Sequence, residues 1–349
     1  MTRDASSSAV SGRLRPEPLR RATQGLALAP SPLPRCADAA RTRGEPIAAS
    51  AVPYRRYLLL EVPGPWGSSA TDERYLGPRV AQGLARATAD RGMNVLLIRR
   101  PGRQRPTGPA FAIPGDAATA IAAEPRAWAL ADTSPDSERV VWGSWDKPDD
   151  LLGLDLIGPL PAAATASGPQ RLALICTNGK RDQCCAVLGR PVAEALAAVP
   201  GWDTWECTHL GGHRFAATIM LLPTGDMFGW LDQRSAVAAV ERFDAGQFLL
   251  PHYRGRSGQP QPVQAALHAA AVRLGDSRRQ AFRVARARRL DADERWEVMV
   301  SHLAEPGREV AYRVIVAPAT TAPGFLSCAD DAPKTDLHYT AITFSRVGR

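Results

Sequence analysis

Between Cys176 and His213 the sequence concentrates side chains that ligate soft metals or carry redox chemistry: CTNGKRDQCC, a helical run, then WECTHLGGHRF. These 38 of 349 residues hold four of the six cysteines and two of the six histidines. Cys thiolate and neutral imidazole are the ligands a protein offers to zinc, copper and iron-sulfur centres. His209 and His213 are four residues apart, but Gly211 and Gly212 between them disfavour a helix, so a loop must bring the rings together. Small glycines also let backbone N–H groups approach a bulky cluster and hydrogen-bond its sulfides. Seven residues separate Cys176 from Cys184 and eight separate it from Cys185. Both gaps exceed the roughly two to four residues typical of a zinc knuckle.

Three chemistries compete for this stretch. A 2Fe-2S redox centre held by two thiolates and two imidazoles would be Rieske-like in chemistry, a combination that raises the potential above that of an all-thiolate cluster. A structural Cys2His2 zinc site uses the same donors. A thiol-disulfide oxidoreductase normally carries Cys-x-x-Cys at a helix start, which is absent, and a vicinal Cys184–Cys185 disulfide would be strained. Cys207, on a strand two residues before His209, reads as a core residue. Arg181 and Asp182 read either as a local turn salt bridge or as charge and hydrogen-bond support for the site. Cys36 and Cys328 each stand alone and read as thiols without a role. His252, His268, His302 and His338 are scattered.

The elements that must position these groups follow from the apolar pattern. RYLLLEV (56–62) and MNVLLIRR (93–100) are continuous apolar runs, as expected of buried strands. The segment GPRVAQGLARATADRG between them has helical spacing, so strand, helix and strand predict a parallel crossover. Trp66, in the turn-rich loop after the first strand, reads as a packing residue, and no dinucleotide or phosphate-loop fingerprint is present. Short strands follow at RAWALAD and ERVVWGSW, then a linker over 161–170. RLALICT, the helix AVLGRPVAEALAAV, DTWECTH, the pair FAATIMLL and MFGWL, and the helix QRSAVAAVERFDAG give the order βαβββα. This is a small thioredoxin-like sheet with the site in the loops after its first two strands. In the last third a helix at PVQAALHAAAVRLG precedes an Arg-rich helix, an antiparallel hairpin and a final strand.

CTNGKRDQCC followed by THLGGHRFAATIMLLPTGD resembles the sucrase/ferredoxin-like family, and LLLEVPGPWG resembles that family's N-terminal region. The similarity spans roughly residues 36–250. It implies a thioredoxin-like 2Fe-2S fold with bis-histidine ligation, the cluster ligands falling on Cys176, Cys185, His209 and His213. Cys184, adjacent to Cys185, competes for the second thiolate position. The "sucrase" part of the name implies glycoside hydrolysis, which needs a pair of carboxylates across a sugar site; nothing in the sequence singles out such a pair.

The expected organisation is a disordered tail over 1–35, an α/β domain over 36–160, the thioredoxin-like 2Fe-2S domain over 161–250, and an α+β region with the Arg-rich helix over 251–349. No run approaches the roughly 20 apolar residues of a membrane span, and no signal peptide is evident. Clustered cysteines and this lack of targeting point to a cytoplasmic protein. The formal net charge is +8, and six of the twelve residues from Arg278 to Arg289 are Arg. No nucleic-acid motif with interleaved aromatics accompanies this run, so nucleic acid is not expected; it reads as the solvated face of a helix or as a dock for an acidic redox partner. No flavin or nicotinamide motif is present, so electrons would come from another protein or a small reductant.

Overall fold

In the run RYLLLEV, alternate side chains enter two different cores: Tyr57 and Leu59 pack on one side, Leu58 and Leu60 on the other. A strand covered on both faces has no polar face, which is why the sequence shows no alternation. It forms β1 (Arg56–Glu61), pairing in parallel with β2 (Met93–Arg99) across the crossover helix α2 (Glu73–Thr88). The computed structural model describes residues 35–71, 73–89, 91–102, 125–161, 168–290, 294–305 and 307–348. The tail expected over 1–35 therefore lies, apart from Arg35, outside the described residues, as does most of the linker expected at 161–170.

A first helix, α1 (Cys36–Thr42), precedes β1. After β2 come β3 (Arg126–Asp132) and β4 (Arg139–Trp145), an antiparallel pair, with β3 also antiparallel to β1. The pattern then restarts. β5 (Leu172–Cys176), α3 (Gln183–Ala197) and β6 (Asp203–Cys207) form a second parallel crossover, followed by β7 (Ile219–Leu222), β8 (Asp226–Phe228) and α4 (Gln233–Asp244). With β9 (Tyr253–Arg256) these strands make one nine-stranded sheet in the order β4-β3-β1-β2-β6-β5-β7-β8-β9. The two halves repeat one topology, each a parallel strand–helix–strand unit followed by a hairpin. They meet antiparallel at β2–β6, where Ile98 faces Cys207 and Arg99 faces Glu206. The boundary expected at residue 160 falls between the halves, yet the sheet and the core containing Tyr57, Leu96, Leu174 and Trp205 run through both.

The helix expected at PVQAALHAAAVRLG is α5 (Gln261–Leu274). It covers a separate antiparallel sheet of β10 (Phe282–Arg289), β11 (Trp296–Glu305), β12 (Arg308–Thr320) and β13 (Leu337–Arg346), packing Ala266 and Ala270 on Val298, Val300, Val314 and Val316. The Arg-rich segment is thus an edge strand, not a helix. Phe282 and Val284 pack against this core while Arg283, Arg286 and Arg288 are exposed, and a bulge interrupts the pairing between Val284 and Arg286. Arg density obscured a period-two pattern, and charges on an edge suit its need to resist pairing with other chains. The protein is mixed α/β: one large mixed sheet and one small antiparallel sheet.

Helix α3 reaches β5 closely because residue 189 has no side chain: a Cβ on Gly189 would collide with the carbonyl oxygen of Cys176. In a solvated helix, Gly to Ala gains up to about 1 kcal/mol. Here the obstacle is backbone, and Gly189→Ala should instead destabilise the fold by about 1–3 kcal/mol, the cost of overpacking. Urea unfolding checks the sign; a gain in stability would show that α3 can retreat freely.

Candidate metal centre

Cys176 ends β5, and Cys207, its register partner, ends β6. Beyond these carboxyl ends the chain forms two loops. In the first, the Thr177 N–H donates to the Cys207 carbonyl at 3.1 Å, and the Asn178 side chain donates to the Gly67 carbonyl at 2.9 Å. The loop ends at Asp182, which caps α3 by accepting from the Cys184 N–H at 3.2 Å. The helix therefore starts earlier than expected, and Cys184 and Cys185 both ride its first turn. Both thiols reach His213, Cys184 Sγ at 3.3 Å from its carbonyl oxygen and Cys185 Sγ at 3.6 Å from its Nδ1, and they also interact with each other.

The second loop depends on its glycines. Gly211 and Gly212 adopt φ of +84° and +70°, and a Cβ on Gly212 would press on Arg254 and Phe215. This left-handed pair folds the chain back so that the rings of His209 and His213 stack at 4.0 Å. Cys185 Sγ lies 3.6 Å from His213 Nδ1, while Cys176 hydrogen-bonds both Cys185 and His209. The four residues expected from the sequence as ligands thus come together, Cys185 being the member of the vicinal pair that joins them. Cys207 is a fully buried core residue, its thiol pushed up by burial.

The electrostatics favour one thiolate in this group. A hydrogen bond from Cys185 holds the Cys176 thiol well below its ordinary value despite burial, and the same bond pushes Cys185 up. Burial and the neighbouring His209 push His213 down to about 4, so its imidazole is neutral at pH 7 and able to donate a lone pair. Beside His209 an open cleft of about 520 Å³ is lined by Ser68, Thr71, Asn94 and Arg181.

Two features were missed in the sequence. Arg254 is fully buried: its guanidinium donates to the Gly211 carbonyl at 2.9 Å and to Ser50, placing a cation behind the histidine loop. Burial lowers its pKa only to about 9, so it stays charged at pH 7. Nothing local marks this Arg within HYRGR. The other concerns Cys36 and Cys328, expected to be solitary: Cys36 Sγ is 3.3 Å from Cys184 Sγ and 3.6 Å from Cys328 Sγ. Residues so distant in sequence carry no spacing signal.

Asp182 stands between these groups with its side chain wholly inaccessible to solvent. Its Oδ2 accepts from the Ser327 hydroxyl at 2.8 Å and the Cys328 N–H at 2.9 Å, and lies 3.9 Å from His213 Nδ1. Of the two roles considered for Asp182, these contacts match support of the site. Burial works against its charge, but hydrogen bonds from Cys184, Ser327 and Cys328 outweigh it and hold its pKa at about 2. A carboxylate depressed from about 4 when unfolded stabilises the fold fully above that pH and loses the contribution as pH falls toward 2. Asp182→Asn should therefore cost roughly 2 kcal/mol at pH 7 and distinctly less at pH 3. Urea unfolding of reduced, chelator-treated protein at both pH values checks this; an equal cost at both would contradict it.

A family model described as sucrase/ferredoxin-like matches residues 47–255. The match begins ahead of β1 and ends within β9, more than half of the chain, and takes in both site loops. No curated protein and no solved structure matches the chain. The groups whose ligand atoms lie close enough to share one metal ion are Asp182, Cys185 and His213, inside the matched region, and Cys36, Asp182, Cys184 and Cys328, partly outside it. The chain belongs to the sucrase/ferredoxin-like family.

Proposed function

We propose that the protein is a one-electron carrier in which Cys176, Cys185, His209 and His213 hold a 2Fe-2S cluster, within a thioredoxin-like unit running from β5 to α4. One observation carries this reading: two thiols and two imidazoles converge from two loops at the carboxyl ends of adjacent parallel strands. The donor set fits such a cluster, because the site already favours a thiolate at Cys176 and a neutral imidazole at His213. A bound 2Fe-2S cluster supplies a reversible one-electron site.

The chain's own residues would tune it. Imidazole in place of thiolate lowers the anionic charge of the ligand set and raises the potential. Arg254, fixed behind Gly211, offsets negative charge added on reduction, a role the sequence had suggested for Arg181. Half-buried His209 borders the open cleft, so a ring nitrogen not engaged in ligation can exchange protons with solvent. We place the protein in the cytoplasm; among the described residues no helix is long and apolar enough to cross a membrane. Its partner would be an acidic redox protein, met by the exposed Arg283 and Arg286 on the edge strand β10.

Anaerobic reconstitution should load iron and acid-labile sulfide in equal amounts and give a diiron EPR signal on reduction. A folded, iron-loaded sample without that signal would end the proposal. Because reduction takes up a proton, the potential should fall as pH rises. Replacing both His209 and His213 by Cys should keep a cluster, lower its potential and remove this pH dependence. For the docking surface, reduction by a cognate donor should slow with added salt and with Arg283→Ser and Arg286→Ser; insensitivity to both would exclude β10 as the docking edge.

A further inference from the structure

Three cysteines outside the proposed cluster ligands meet beside Asp182. Cys36 opens α1, Cys184 lies in the first turn of α3, and Cys328 sits in the loop joining β12 to β13. Cys36 Sγ stands 3.3 Å from Cys184 Sγ and 3.6 Å from Cys328 Sγ. Asp182 Oδ1 is 2.9 Å from Cys184 Sγ and 3.8 Å from Cys36 Sγ. One ligand atom from each of the four residues lies within 4.8 Å of all the others.

We propose that Cys36, Cys184, Cys328 and Asp182 form a second metal site that binds one zinc ion. A tetrahedral zinc with Zn–S bonds of about 2.3 Å holds its sulfurs about 3.8 Å apart, and the two sulfur–sulfur edges here fall short of that by half an ångström or less. Three thiolates and a carboxylate are soft and anionic, a set that selects zinc over magnesium or calcium. The carboxylate is prepared for the role. Ser327 and the Cys328 N–H fix Oδ2, while Oδ1 is turned toward Cys184 and Cys36. Cys184 also lies at the N-terminus of a 15-residue helix, whose dipole works against the hydrogen bond with Cys185 and the burial that push its thiol up.

A Cys36–Cys184 disulfide would use two of the three thiols and leave both the third and the carboxylate without purpose. Four protein donors with no open position describe a closed, structural zinc site. It would clip α1 and the β12–β13 loop onto the helix that presents Cys185. Cys36 and Cys328 both lie outside the residues matched by the family model, so the family resemblance does not account for their meeting. The proposal uses none of the four iron-sulfur ligands, although Asp182 also lies within reach of Cys185 and His213.

The test is metal content of the full-length protein, purified anaerobically with reductant from zinc-supplemented medium and passed over a weak chelator. The wild type should retain about one zinc per chain, and Cys36→Ser and Cys328→Ser should each lose it. Both variants should keep the wild-type amounts of iron and sulfide, so a failed cluster and a failed zinc site give different patterns. Cys36 is buried and its variant is the more exposed to misfolding; Cys328 is exposed. Cobalt substitution of the wild type adds a direct readout, a thiolate-to-cobalt charge-transfer band with the intense visible bands of a tetrahedral centre. The proposal is overturned by wild-type protein that holds neither zinc nor cobalt. It is equally overturned if Cys328→Ser retains the zinc, if His209→Ala loses it, or if peptide mapping finds a Cys36–Cys184 disulfide in the anaerobic protein.

Discussion

The carboxylate of Asp182 is the group on which the rest of the site depends. A buried charge is tolerated only when donors surround it. Those donors come from the first turn of α3 and from Ser327 and Cys328 some 145 residues away. Satisfying one carboxylate therefore sets the start of α3, seats the β12–β13 loop, and leaves His213 at the edge of the same field. Because Asp182 fixes where α3 begins, it also places Cys184 and Cys185 in the first turn, both against His213.

The two halves of the large sheet show how a scaffold acquires a site without changing its plan. Both contain a parallel crossover followed by a hairpin, but only the second half ends its crossover strands in cysteines. Its loops also carry the capping Asp182 and the left-handed pair Gly211 and Gly212. The halves join through two residue pairs at β2–β6, next to Cys207. Arg254 arrives from β9, the last strand of the same sheet, and ties the histidine loop to Ser50.

Much of this was legible in the sequence, for identifiable reasons. Runs such as RYLLLEV and RLALICT are apolar throughout because both faces of their strands are covered, and that reads directly as a buried parallel strand. The candidate ligand residues were legible because they fall in two short segments, and the family resemblance pointed to Cys185 rather than Cys184. What escaped lies in long-range geometry. Cys36 and Cys328 are 292 positions apart, so no periodicity could pair them, and Arg254 is one arginine among many until its burial is known. The Arg-rich strand was mistaken for a helix because charge drew attention from the alternation of Phe282, Arg283 and Val284. The continuity of the large sheet rests on the short β2–β6 contact, which no local pattern announces.

The claim at the centre of this account is that two imidazoles and two thiolates share one redox centre. Pulsed EPR of the full-length protein after anaerobic reconstitution and one-electron reduction measures this directly, since nitrogen bound to a paramagnetic centre couples to its electron spin. Two strongly coupled nitrogens, both lost when His209 and His213 are replaced by Cys, are the predicted result. A diiron signal with no strongly coupled nitrogen would contradict it.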